Sequence, residues 1–251
     1  MLGSGSRGNG LLVECGATRV LVDCGFPIKE TERRLARLGV PPDSLAAVVL
    51  THEHSDHASG AERFARRHRT PLWLTFGTGQ ALGLATDAEN PIRYFETGAE
   101  FAIGDLGLRS YPVPHDAREP CQFVFTNGAR RLGLLTDAGH VTPHMTATLR
   151  GCDALILECN HEPELLAQSD YPPSLKARIG GSHGHLANDA AAALLASLDT
   201  DRLQHVIAAH LSEKNNTPWL ARAALGAALG GAAERVTVAG QDSGLPWREL
   251  V

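Results

Sequence analysis

The chain has 251 residues, of which 43% are hydrophobic and 20% charged, a balance that suits a globular chain burying a sizeable core. Its formal net charge of −5 excludes a broadly basic surface for coating nucleic acid, though not local contacts to a few phosphates beside a bound cation. No apolar run reaches the ~20 residues of a membrane span, and no charged segment followed by an apolar one opens the chain, so a cytoplasmic protein is expected.

The chain begins on a Gly/Ser loop, "GSGSRGNG". "LLVEC" and "RVLVDCG" follow as two apolar runs joined by "GAT", the pattern of a β-hairpin. "AAVVLTHEH" reads as a buried strand running directly into a histidine cluster, and "ASGAERFARRHR" has helical spacing with a basic face. "PLWLT", "IRYFE", "LRSYPV", "CQFVFT" and "RLGLLTD" are short strands punctuated by Gly, Asn or Pro. "CDALILECN" is a further buried strand. A helix is expected from Asn188 to Leu198 with Asn188 as its N-cap. "LQHVIAAH" returns as a strand, "PWLARAALGAAL" as a helix and "RVTVAG" as a last strand. No repeat, low-complexity tract or linker divides the chain, so one domain over 1–251 is expected, with two sheets packed together under helices. Cys15, Cys24, Cys121, Cys152 and Cys159 are scattered without a CxxC pair, which points to free thiols in a reducing compartment.

The chemistry gathers in "THEHSDHASG". If the chain stays extended past the strand, His52 and His54 point to one face. Asp56 and His57 then fall in the following turn and reach a second point nearby. Imidazole with carboxylate suits zinc, manganese or iron, so the segment reads as parts of two adjacent metal sites. At this composition H-x-H-x-D-H arises by chance on the order of 0.001 times, which sets a solvated polar loop aside. Three further donors stand at the ends of apolar runs: His115 after "RSYPVP", Asp137 in "RLGLLTD" and His210 in "HVIAAH".

HEHSDH followed in order by His115, Asp137 and His210, with Asp23 in "VLVDCG", resembles the metallo-β-lactamase superfamily over essentially the whole chain. The resemblance implies an α/β fold, an αββα sandwich. It also implies two divalent metal ions, with His52, His54 and His115 on the first. Asp56, His57 and His210 fall on the second, Asp137 bridges them, and Asp23 stands behind a ligand histidine to steady it. "LGSGSRGN", "FPIKETERRL", "ECNHE", "GHLAN" and "HLSEKNN" resemble the YycJ/WalJ-type branch, whose members are associated with DNA processing and 5′-to-3′ exonuclease activity. They are also similar to the phosphodiesterases of the ribonuclease Z and cyclic-phosphate types.

The expected activity is therefore phosphodiester hydrolysis on nucleic acid, with DNA ends as the substrate. Asp56 would hold the attacking water, and His185 of "GGSHGHLAN" would contact the phosphate or protonate the leaving oxygen. His183, His161, Ser4 and Asn188 are the candidate substrate contacts. His68, His140, His144 and His205 are read as surface or core. "ERRLARLG" and "ERFARRHR" are read as solvated basic faces. The competing readings are a hydrolase of small esters, thioesters, lactams or cyclic phosphodiesters on the same ligands, and a non-enzymatic module held together by metal. Homodimerisation stays open.

Overall fold

The computed structural model describes residues 1–85 and 91–251. The chain forms two compact units, each assembled from separated segments. The first comprises Met1–Pro112, Ala117–Cys121 and Gly240–Glu249; the second comprises Val113–Asp116, Gln122–Ala239 and Leu250–Val251.

In the first unit, β1 (Leu11–Cys15) and β2 (Thr18–Val22) form the expected antiparallel hairpin, in register from Leu11 opposite Val22 to Cys15 opposite Thr18. After α1 (Ile28–Arg37), the chain adds β3 (Ala47–Val49) parallel to β2. Two helices follow, α2 (Ser55–Ala58) and α3 (Ala61–His68), and then β4 (Leu72–Thr75), α4 (Phe76–Ala81) and β5 (Ile92–Phe95). The sheet order is β1-β2-β3-β4-β5, with β2 to β5 parallel. Leu21, Val48, Leu50, Leu72 and Leu74 pack with Leu35 of α1 and Phe64 of α3 in its core. The central strands read as unbroken apolar runs because parallel strands under helices are buried on both faces. β6 (Glu100–Ile103) pairs antiparallel with β7 (Leu106–Pro112). The first of these, "EFAI", is only four residues long, too short for an alternating pattern to stand out in the sequence.

In the second unit, β8 (Cys121–Thr126) and β9 (Arg131–Leu135) are antiparallel, joined by a turn in which Asn127 Oδ1 accepts from the Ala129 and Arg130 amides. α5 (Pro143–Leu149) leads to β10 (Ala154–Glu158), which is parallel to β9. After α6 (Pro163–Gln168), α7 (Pro173–Ile179) and α8 (Asn188–Ala196), β11 (His205–Ala209) pairs parallel with β10. α9 (Pro218–Ala228) and β12 (Val236–Val238) complete the order β12-β11-β10-β9-β8. α5, α6 and α7 escaped the sequence reading. They are six or seven residues long, too short for an apolar stripe to repeat, and each is started by a proline whose missing N–H costs nothing in the first turn. Among the described residues, no helix is long and apolar enough to cross a membrane.

Candidate metal centre

Parallel strands deliver their carboxyl ends to one edge, where α/β proteins build their sites. In the second unit that edge carries Asp137 two residues beyond β9, Glu158 as the last residue of β10, and His210 immediately after β11. The loop ahead of α8 adds His185. One ligand atom from each of these four residues lies within 4.8 Å of the others. Asp137, Glu158 and His210 are buried, and His185 is partly so.

Glu158 organises this cluster. Its Oε1 lies 2.8 Å from His185 Nδ1 and 3.3 Å from His210 Nδ1. Its Oε2 accepts from the Ala138 amide at 2.9 Å and the Leu186 amide at 3.2 Å, the backbone neighbours of Asp137 and His185. Burial pushes this carboxyl up, but the charges and hydrogen bonds of His185 and then His210 outweigh it and hold the group well below the ordinary carboxylate range. Burial likewise pushes His185 down, and the Glu158 carboxylate overrides it, so the imidazole lies above its usual value.

Asp137 Oδ1 is 3.5 Å from His210 Nε2, 3.5 Å from His185 Nδ1 and 4.0 Å from His115 Nε2. His115, buried, donates from Nδ1 to the Gly184 carbonyl at 2.9 Å. That bond leaves Nε2 as the nitrogen with the lone pair, the form in which a histidine binds metal. Part of "GGSHGHLAN" thus sets the orientation of a candidate ligand through its backbone.

In the first unit, β3 ends at Val49, three residues short of the His52 through which an extended reading would run. His54 is the N-cap residue of α2, so Asp56 and His57 sit on a single helical turn rather than in an open one. The rings of His52 and His54 lie 4.6 Å apart, and those of His52 and His57 lie 4.3 Å apart. Asp23, just past β2, accepts from the Thr51 amide at 2.9 Å through Oδ1, and its Oδ2 is 2.8 Å from His57 Nδ1. Asn9 Nδ2 is 3.1 Å from His57 Nε2 and 3.3 Å from Asp56 Oδ2. With Nδ1 given to Asp23, His57 presents a lone pair at Nε2, which Asn9 meets. The close approach of these loops depends on Gly25, where a Cβ would overlap the Asp56 carbonyl oxygen.

The backbone marks the same residues. Among the described non-glycine residues, left-handed φ occurs at Asp23 (59°), Asp137 (54°), His210 (55°) and Arg69 (53°). Arg69 ends α3, a position where left-handed residues are common. The other three are donors or their support at strand ends, each held at a cost of about 1–2 kcal/mol. Such strain persists where surrounding structure enforces it and gathers at functional sites. The donor chemistry fits a divalent cation, since imidazoles beside two buried carboxylates leave negative charge that burial would otherwise penalise.

The expected substrate contacts are placed differently from one another. His183 is exposed, with its Nδ1 3.1 Å from Ser182 Oγ. His161 is 4% exposed; its carbonyl accepts from the Asn188 amide, and its Nδ1 has no hydrogen-bond partner among the described residues. Burial, the largest influence on His161, pushes its imidazole below the usual value. Asn188 is not the N-cap: Ala187 holds that position, and Asn188 is the first helical residue. Its side-chain amide donates to Glu162 Oε2 and to Oδ1 of the buried Asn216, partners that compete successfully with the local cap. Ser4 is buried and donates to Asn9 Oδ1, so its hydroxyl serves the fold of its own loop rather than an open surface.

Sequence reasoning passed over two contributors. Glu158 had a legible signal, a carboxylate ending an otherwise apolar strand as Asp137 and His210 end theirs. Asn9 had none beyond its place in a glycine-rich loop.

The beta-lactamase superfamily domain matches residues 18–210. The exodeoxyribonuclease YycJ of Bacillus anthracis is 36% identical over 227 residues, covering 88% of this chain and 85% of its own. The exodeoxyribonuclease WalJ of Streptococcus pneumoniae is 35% identical over 228 residues, covering 88% and 84%. Among solved structures, the metallo-β-lactamase fold protein YhfI from Bacillus subtilis superposes with a TM-score of 0.75 at 20% identity, over 98% of this chain and 97% of that one, a likeness of fold. The strand-end donors, the matched domain and the two long alignments agree: this chain has the metallo-β-lactamase fold and belongs to that superfamily, in the branch of YycJ and WalJ, as a metal-dependent hydrolase.

Proposed function

We propose that the chain hydrolyses phosphodiesters at nucleic-acid ends with two divalent metal ions, zinc or manganese, as a 5′-to-3′ exodeoxyribonuclease. The observation that carries this reading is the set of Asp137, Glu158 and His210, buried at one strand edge, with the partly buried His185 beside them. The names of the two long-aligned relatives support DNA as the substrate.

In this reading, which follows the superfamily resemblance, His52, His54 and His115 would hold one ion, Asp56, His57 and His210 would hold the other, and Asp137 would serve both. Bound divalent ions supply an activated water and positive charge beside the phosphate oxygens. The chain's own groups do the rest. Asp23 fixes His57 through Nδ1, and the Gly184 carbonyl fixes His115 in the same way. Asp56 orients the attacking water in line with the scissile bond. Glu158 engages His185 at Nδ1, which leaves the opposite ring nitrogen to bring a proton to the leaving oxygen. His183, on the exposed loop, meets the strand backbone.

Digestion of end-labelled single- and double-stranded DNA and RNA with Zn²⁺ or Mn²⁺ tests the proposal, with His54→Ala as the control. Products released stepwise from the 5′ end of DNA, abolished in His54→Ala, are expected. Metal-replete protein that leaves every phosphodiester intact but opens a lactam or thioester would end it.

A further inference from the structure

Large aromatic side chains of the first unit are mostly inside it: Phe26, Phe64 and Phe95 are all buried. Phe76 and Tyr94 are not. Phe76 is 58% exposed and Tyr94 44% exposed, and their rings meet edge to face with centroids 5.5 Å apart. Phe76 begins α4 directly after β4, so it stands at the same strand edge from which β3 leads into the His52–His57 loop. Tyr94 approaches α4 closely at Gly79, where a Cβ would come within 2.7 Å of the tyrosine ring. Part of the ring is thereby covered and the remainder left to solvent.

The segment 117–121 ties this pair to the histidine loop. The Arg118 amide donates to Glu53, the residue between His52 and His54. Glu119 accepts from the Gly77 amide at 2.7 Å and from Thr97 Oγ1 at 3.1 Å. The Arg118 side chain passes beside Gly77, next to Phe76, and is exposed. Two open aromatic rings with a cation alongside, anchored to the loop that carries candidate metal ligands, match the chemistry that grips single-stranded nucleic acid: stacking for the base, positive charge for the phosphate. A base inside a duplex has both faces covered, so only a frayed or single-stranded end can use such a platform.

We propose that Phe76, braced edge to face by Tyr94, forms a stacking platform for an unpaired base near the scissile phosphodiester, with Arg118 holding the adjoining phosphate. This rests on the nucleic-acid reading above and deepens it, assigning the substrate a single-stranded end.

The test uses the metal-loaded protein and a phosphorothioate-linked oligonucleotide carrying 2-aminopurine near its 5′ end. Binding to the wild type should quench the 2-aminopurine. Phe76→Ala and Tyr94→Ala should lose the quench, and Phe76→Trp should restore it. Replacing the stacked base by an abasic residue should weaken wild-type binding roughly tenfold, about 1.4 kcal/mol, and should leave Phe76→Ala binding as it is. Trp219→Ala, which removes an exposed aromatic of the second unit, is the control. Equal quench in wild type and Phe76→Ala, or an equal loss in Trp219→Ala, overturns the platform. Cleavage is read separately on an ordinary oligonucleotide. Quench without cleavage keeps the platform and removes the nuclease reading; cleavage without quench removes the platform alone.

Discussion

Replacing Glu158 by glutamine tests the organisation of the second unit with the least change of shape. Glu158 has no exposed surface, and each of its carboxylate oxygens faces two donors. A glutamine amide has one oxygen and one NH₂. Whichever way it flips, the NH₂ faces either the Ala138 and Leu186 amides or the Nδ1 atoms of His185 and His210. Two charge-assisted hydrogen bonds are lost, worth about 1.5–3 kcal/mol each. Ring tautomerisation can recover part of this on the imidazole side, so a loss of roughly 3–5 kcal/mol is expected, the range for breaking a buried charged pair. In a chain of this length that lowers Tm by about 10 °C. Urea unfolding of metal-loaded wild type and Glu158→Gln, compared at equal m, measures it. Hydrolysis should fall by about 10²-fold or more as His185 loses its orientation. A stability loss under about 1 kcal/mol with wild-type turnover would refute the claim that Glu158 organises the donors.

Other consequences follow from individual contacts. Asp23→Asn removes the charge behind His57 Nδ1 and should lower metal affinity by about 10- to 100-fold, read by competition with a chromogenic chelator; unchanged affinity would detach Asp23 from the metal. His185→Ala should keep its full metal content by mass spectrometry while losing most turnover, whereas loss of metal would move His185 into the ligand shell. Thiol titration of the native protein should find Cys15 reacting first. The other four cysteines are buried, and burial pushes Cys24 up to about 12 and Cys152 up to about 11, so fast modification of Cys24 would contradict its environment. Gly25→Ala should destabilise the protein by driving the loop after β2 away from the Asp56 backbone, with reduced metal content as the accompanying readout.

Much of the strand framework was legible because local pattern specifies it. "VLVDCG", "AAVVL", "CDALILECN" and "HVIAAH" are apolar runs bounded by turns, and each appears where its sequence places it. HEHSDH was legible for the same reason: its donors are close in sequence, so their spacing alone announces metal chemistry. Short proline-started helices such as α6 and α7 lack the length for a periodic signal, and so does the four-residue β6. What tertiary structure alone decided are pairings between residues far apart in the chain. His115 is oriented by a carbonyl 69 residues away, and Glu158 takes hold of His185 27 residues on. Asn188 gave up a cap that its type favours because Glu162 and the buried Asn216 offered partners from elsewhere in the chain. Donor type at a strand end is a local property of sequence; which nitrogen of an imidazole is left for metal is set by whatever the fold places against the other one.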